Sequence, residues 1–220
     1  MRAASPKWLR AQFGVMMERT GNELRGISCL ALEDAVPPKQ QIVTSRSFGQ
    51  MVLVLDELNE AVATYMTRAA EKLRHQHAVC GAVYVFIHTN QFRPQDRQYG
   101  NGVVMPLAEA TSDTRWLTAA ALAGLKRIYR PGYAYKKAGV MLLELSPAGI
   151  RQASLFDPEG KGAVQSAAVM RAVDTLNRAY GRNTVMVGAA GMQRRWSMRS
   201  ENRSPRFTTR WEEMPVALAR

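Results

Sequence analysis

A chain of 220 residues, 46% apolar and 22% charged, has ordinary globular composition, which excludes wholesale disorder. No apolar run approaches the roughly 18 residues of a membrane span, and MRAASPKW lacks the apolar stretch of a signal peptide; the expected setting is cytoplasmic, with no membrane partner. Thirty Lys and Arg against 18 Asp and Glu leave a formal charge of +12, which points to a polyanionic partner, the alternative being a basic protein kept soluble by its charge.

The excess is concentrated in residues 39–147, with 13 basic against 8 acidic residues, and in residues 191–220, with 7 against 3. Cys29 and Cys80 are far apart and lack CxxC or histidine-rich company. They read as small buried hydrophobes rather than as a disulfide or zinc site.

In chain order, Ser5-Pro6 forms an N-cap and first-turn pair, and KWLRAQFGVMMERTGNELRG predicts one or two short helices interrupted near Gly14 and stopped at Gly26. Residues 5–26 are too few to bury a core, so they are expected to belong to a larger domain. Pro37-Pro38 marks a linker. From Gln40 the β-prone segment QIVTSRSF precedes apolar residues at 51, 55, 58, 62, 65, 69 and 73, the spacing of an amphipathic helix.

CGAVYVFIHT is a strand, the polar loop NQFRPQDRQYGNG leads to a second short strand at VVMPL, and the two are expected to pair as antiparallel neighbours. Thr111, Ser112 and Asp113 offer N-caps to TRWLTAAALAGLKRIY, which stops before Pro131-Gly132, and YAYKKAGVMLLELS supplies a last strand. The order β-α-β-β-α-β predicts an α+β fold of the split βαβ kind: an antiparallel-rich sheet with two helices on one face and the other face free. N-terminal helices and a mainly irregular or helical C-terminal extension complete it. The divisions are 1–38, 39–147, 148–160 and 161–220.

A free sheet face suits nucleic acid, and the strands place Ser45, Arg46, Ser47, Lys136 and Lys137 within or beside it. Hydroxyls, amides and cations contact phosphate oxygens, so the grip expected is sequence-independent. Tyr84, Phe86 and His88 alternate with Val83, Val85 and Ile87 and serve either as packing residues or as a stacking platform. Leu155-Phe156 in the polar segment GIRQASLFDPEGKG reads as an anchor for another protein's pocket or as a plug on its own domain. A helix is expected from about Ala163 to Tyr180. The tail around Arg194, Arg195, Trp196, Arg206 and Arg210 offers cation–π or phosphate contacts to a partner or DNA, or is a solvated basic segment.

Several stretches together resemble one family: FGVMMERTGNELRG, CLALE, KQQIVTSRSFG, RAAEKLR, YGN, YKKAGVML, QASLFD, MRAVDTLNRAYGR and WSMRSENRSPRFTTRW. They are similar to the C-terminal portion of the UmuC-like Y-family translesion DNA polymerases, the family of the polymerase V catalytic subunit. The resemblance implies that residues 5–36 end the thumb, 39–147 form the little finger lying along DNA, and 161–220 form the C-terminal extension. It also implies that Gln152, Ser154, Leu155 and Phe156 belong to the peptide that binds the bacterial sliding clamp. The extension becomes a candidate surface for a cleaved UmuD dimer and RecA filaments.

The carboxylates that hold Mg²⁺ for polymerisation lie in the family's N-terminal palm, so neither catalytic residues nor a cofactor is expected in this chain. Asp56-Glu57 and Glu212-Glu213 read as solvated charges, and His75, His77 and His88 offer no nucleophile–base pair. The expected role is a DNA- and clamp-binding part of an error-prone polymerase in SOS repair, inactive in synthesis without the palm. The alternatives are an interaction module without DNA affinity and an independent basic nucleic-acid binder.

Overall fold

The computed structural model describes residues 1–29, 39–149, 161–192, 195–198 and 203–216, and the chain divides into two units, Met1–Pro38 and Lys39–Arg220. In the first, α1 (Pro6–Phe13) opens with a proline at its first turn, and α2 (Val15–Glu23) follows after the single residue Gly14. Gly14 sits at φ +86°, where a side chain would be strained. The helices approach closely because Gly21 has no side chain: a Cβ there would stand 2.6 Å from Leu9 Cδ1. Gly26, at φ +85°, follows the turn that ends α2, and the Arg25 guanidinium donates to the carbonyls of Arg2 and Ala4. Trp8 and Phe13 meet edge to face yet remain 52% and 60% exposed, in keeping with helices too short to enclose a core.

The second unit alternates β1 (Ile42–Val52), α3 (Leu55–His75), β2 (Ala78–Thr89), β3 (Gly100–Thr111), α4 (Thr114–Ile128), β4 (Tyr135–Pro147) and α5 (Lys161–Ala179). Among the described residues the strands form a four-stranded antiparallel sheet ordered β1-β4-β2-β3. Each helical crossover therefore joins two parallel strands with one strand inserted between them: β4 lies between β1 and β2, and β2 between β3 and β4. This is the expected α+β, split βαβ architecture.

Periodicity explains the helices. Leu58, Val62, Tyr65, Ala69 and Leu73 are buried at spacings of three and four along α3, with Ala61 and Ala70 allowing close approach. Asp56 and Glu57 occupy its first turn and Lys72, Arg74 and His75 its last, which matches the helix dipole. Met51, predicted as part of this helix, instead belongs to β1. The apolar period carried through a strand end, where alternate residues are also buried.

Of the three candidate caps for α4, Asp113 is used: its side chain accepts from Arg115 N at 2.8 Å. Burial pushes its carboxyl up, but hydrogen bonds from Arg115 and from Ser166 on α5 outweigh this and hold it below its ordinary value. β3 runs further than VVMPL suggested, and its Pro106 is tolerated on an edge strand beside a register shift opposite Cys80–Ala82. The core lies between sheet and helices, built on Phe48, Val52, Tyr65, Leu73, Val83, Val85, Ile87, Leu117, Leu125 and Leu142. Cys80 is inside it, its thiol pushed up to about 12 chiefly by burial, whereas Cys29 is only partly buried.

The C-terminal extension is not a separate layer. Arg74 of α3 grips Asp174 of α5 with two hydrogen bonds of 2.7 Å, Ser166 donates to Asp113, and Met170 is buried beside Thr114. The chain then crosses α3, where Thr64 Oγ1 donates to Ala190 O.

Trp196 enters the core edge-on against Phe48 and Tyr65, at centroid distances of 6.4 and 5.5 Å. It is 5% exposed. The expectation that Trp196 contacts a partner or DNA is thus corrected: its ring is enclosed by the protein's own core. Trp196→Ala should cost about 3–5 kcal/mol through the cavity it leaves. Urea unfolding followed by circular dichroism should show a lower midpoint at unchanged m-value, with Trp211→Ala, at a ring 84% exposed, leaving the unfolding free energy within about 0.5 kcal/mol of wild type.

Candidate nucleic-acid interface

Both α3 and α4 pack on one face of the sheet, so alternate residues of every strand point to the opposite, open face. Strand register fixes which residues meet there. Val43, Met141, Tyr84 and Val104 form one row across β1, β4, β2 and β3; Ser45, Gly139, Phe86 and Gly102 form the next; Ser47, Lys137, His88 and Gly100 form the third. The face grades from apolar at the first row to polar and cationic at the third.

The three rings of β2 form a ladder along the strand. Tyr84 and Phe86 are stacked at 5.7 Å between centroids with an interplanar angle of 28°, and Phe86 and His88 follow at 5.4 Å. All three are half-buried because they recline over neighbouring strands. A Cβ on Gly102 would meet Tyr84 Oη at 2.2 Å, one on Gly139 would meet Phe86 Cζ at 2.3 Å, and one on Gly100 would meet His88 Nδ1 at 2.5 Å. Lys137 Nζ lies 6.0 Å from the Phe86 centroid, at the outer limit of a cation–π contact.

The sequence-derived cluster is divided by this geometry. Ser45, Ser47 and Lys137 share the open face with the rings. Arg46 has the parity of Ile42 and Thr44, which are buried beneath the helices, so it leaves the edge strand on the helix side; its guanidinium donates to Ser45 O at 3.3 Å and is exposed. Lys136 is displaced by a bulge: His88 pairs with Lys137 but Thr89 pairs with Tyr135, which leaves Lys136 as the extra residue. Its ammonium donates to Phe48 O at 2.5 Å.

In the extension, Arg195 and Arg210 are exposed, while Arg206 forms an ion pair with Glu213. That pair modifies the expectation for Glu213, whose carboxyl Arg206 holds below its ordinary value. Arg194 and the peptide Gln152, Ser154, Leu155 and Phe156 lie outside the described residues. Sequence reasoning missed the three glycines under the rings, because Gly100 and Gly102 fall in the stretch read as a polar loop and Gly139 lies without comment inside the strand YAYKKAGVMLLELS. The signal available was their alternation in register with aromatic residues.

Among the described residues no three His, Cys, Asp or Glu side chains converge as metal ligands, and no helix is long and apolar enough to cross a membrane. On the helix side, α3, α4 and α5 line a cavity of about 540 Å³ whose walls include Leu122, Met170, Val173 and Val187. Charged and polar side chains, among them Arg68, Glu71, Asp174, Asn177 and Arg182, share that lining.

A model of the impB/mucB/samB family C-terminal domain matches residues 39–155, the segment that contains the whole sheet and both of its helices. The chain belongs to this family. A domain of unknown function (DUF4113) matches residues 167–217. Within the impB/mucB/samB family, the chain is 42% identical to Protein UmuC of Salmonella typhimurium over 206 residues, covering 94% of this chain and 49% of that protein. It is 41% identical to Protein SamB of Salmonella typhimurium and 42% identical to Protein MucB of Escherichia coli, each over 214 residues, 97% of this chain and 50% of the relative. The chain spans about half the length of the curated relatives it matches.

His88 gives this family member a titratable group on the open face. Burial, and then the Lys137 ammonium, hold its imidazole below the ordinary value, so it is neutral at pH 7. The folded state resists a proton that the unfolded chain accepts. The stabilisation is therefore intact above about pH 6.5, the unperturbed value, and is lost as pH falls below it. An NMR titration should place the His88 midpoint below that of an unperturbed histidine, and the loss of urea resistance on going from pH 7 to 5.5 should be smaller in His88→Gln.

Proposed function

We propose that the chain is the DNA-gripping and partner-binding C-terminal part of a Y-family translesion DNA polymerase of SOS repair, working in the cytoplasm. The observation that carries this reading is the open face, which sets Ser45, Ser47 and Lys137 in register beside an aromatic ladder in a chain of net charge +12. Hydroxyls and a lysine can engage phosphate oxygens without reading bases. Arg46 flanks them at the β1 edge, and the exposed Arg195 and Arg210 add positive charge in the extension. The role assigned is grip and tethering, with nucleotide transfer and its Mg²⁺ left to a palm.

In fluorescence anisotropy, the dissociation constant for a short DNA should rise steeply between 50 and 200 mM salt, as counterion release requires. Lys137→Glu should weaken binding to all sequences alike and lower the log–log salt slope by about one. Salt-independent binding, or a charge reversal without effect, would remove the open face from the proposal.

The second contact in this reading is with the bacterial sliding clamp, through Gln152 and Ser154 at the rim of a pocket and Leu155 and Phe156 inside it. Paired large apolar residues in a polar segment are the support for it. A cleaved UmuD dimer and RecA filaments are the further partners proposed for the extension. Surface plasmon resonance against the clamp should give affinity on the order of micromolar, about −8 kcal/mol, that disappears in a Leu155→Ala, Phe156→Ala double variant. An equal signal from the double variant would restrict the function to DNA.

A further inference from the structure

Four parts of the second unit enclose the cavity of about 540 Å³ on the helix side: residues within 67–74 of α3, 114–122 of α4, 169–177 of α5 and the segment 182–189. We propose that this cavity binds a small amphipathic monoanion, with the apolar body of the ligand among the helices and its acid group against Arg68 and Arg182. The site goes beyond DNA binding and uses none of the residues of the open face.

The walls are braced. Arg74 of α3 holds Asp174 of α5 with two hydrogen bonds. Asn177 pins the segment that follows α5 through both ends of its amide: Nδ2 donates to Val185 O at 3.0 Å, and Oδ1 accepts from Val185 N at 2.8 Å. The space is therefore preformed, as small-molecule sites between helices are, and its volume falls in their ordinary range.

Apolar side chains make up much of the lining, with Leu122, Val173 and Val187 half-buried and Met170 buried. Among them Thr118 is 4% exposed, and its hydroxyl has no hydrogen-bond partner. A buried hydroxyl left without a partner is costly, and a polar atom on a ligand would relieve it. Charge decides the sign of that ligand. Arg74 and Arg115 are neutralised by Asp174 and Asp113, whereas among the described residues no carboxylate is bonded to Arg68 or Arg182, which are both exposed. Glu71 is the other carboxylate of the lining. Two arginines against one carboxylate leave one positive charge uncompensated, which suits a monoanion and disfavours a cation.

The test uses the full chain and two fluorescent probes with the same apolar body: anilinonaphthalene sulfonate, and phenylnaphthylamine, which lacks the sulfonate. The sulfonate should bind at about one equivalent per chain and about tenfold more tightly than the neutral probe, the size of one charge-assisted hydrogen bond. Arg68→Gln combined with Arg182→Gln should bring the sulfonate to the affinity of the neutral probe. Lys126→Gln, which removes a charge from α4 outside the cavity, should leave it unchanged. Ala119→Trp, which fills the cavity from a position already exposed, should abolish binding of both probes. Thermal unfolding of each variant separates a filled cavity from a lost fold, and the comparison of the two probes on the wild-type chain depends on no variant. Equal affinity for the two probes would overturn the assignment of a monoanion. Sulfonate binding that persists in a folded Ala119→Trp chain, or a wild-type chain that binds neither probe, would overturn the site.

Discussion

The pairing of β4 with both β1 and β2 is the constraint on which the rest of the second unit depends. Because β4 is inserted between two strands that precede it, each crossover must pass over one strand, and the helices of both crossovers are laid on the same face. That face becomes the core. The opposite face receives every second residue of all four strands, and the register of β4 against its neighbours decides which serine, lysine and ring stand side by side. A slip of one residue would exchange the two faces, turning Val140 and Leu142 outward and Lys137 into the core. The apolar alternation of β2 and β4 is what forbids it.

Local chemistry accounts for what was legible in the sequence. Apolar spacing located α3 to within a few residues, Asp113 announced the start of α4, and β-branched and aromatic enrichment marked β2 and β4. These elements depend on neighbours a few positions away. The order of strands followed from matching the pattern to a known motif, and the open face followed from that order.

The illegible parts are those whose partners are distant in the chain. Arg46 and Lys136 were grouped with Ser45, Ser47 and Lys137 because they are adjacent in sequence, yet in a strand adjacency means opposite faces, and only the bulge at Lys136 determines how its ammonium comes to lie on Phe48 O. Trp196 sits among arginines and polar residues that suggest solvent, while its slot is formed by Phe48 and Tyr65 from β1 and α3. Nothing within reach of Trp196 along the chain announces that slot.

Trp196 also bears on how this architecture can change over generations. Two family models meet in this chain, one ending at residue 155 and the other beginning at 167, as though two modules had been joined. The physical boundary is elsewhere, because the second segment supplies a core residue, Trp196, to the first and is held to it by Arg74–Asp174. Recombination between relatives at that junction would transplant a plug without its socket. Volume changes at positions 48, 65 and 196 are therefore physically coupled, and Trp196 makes the extension part of the sheet domain's own interior.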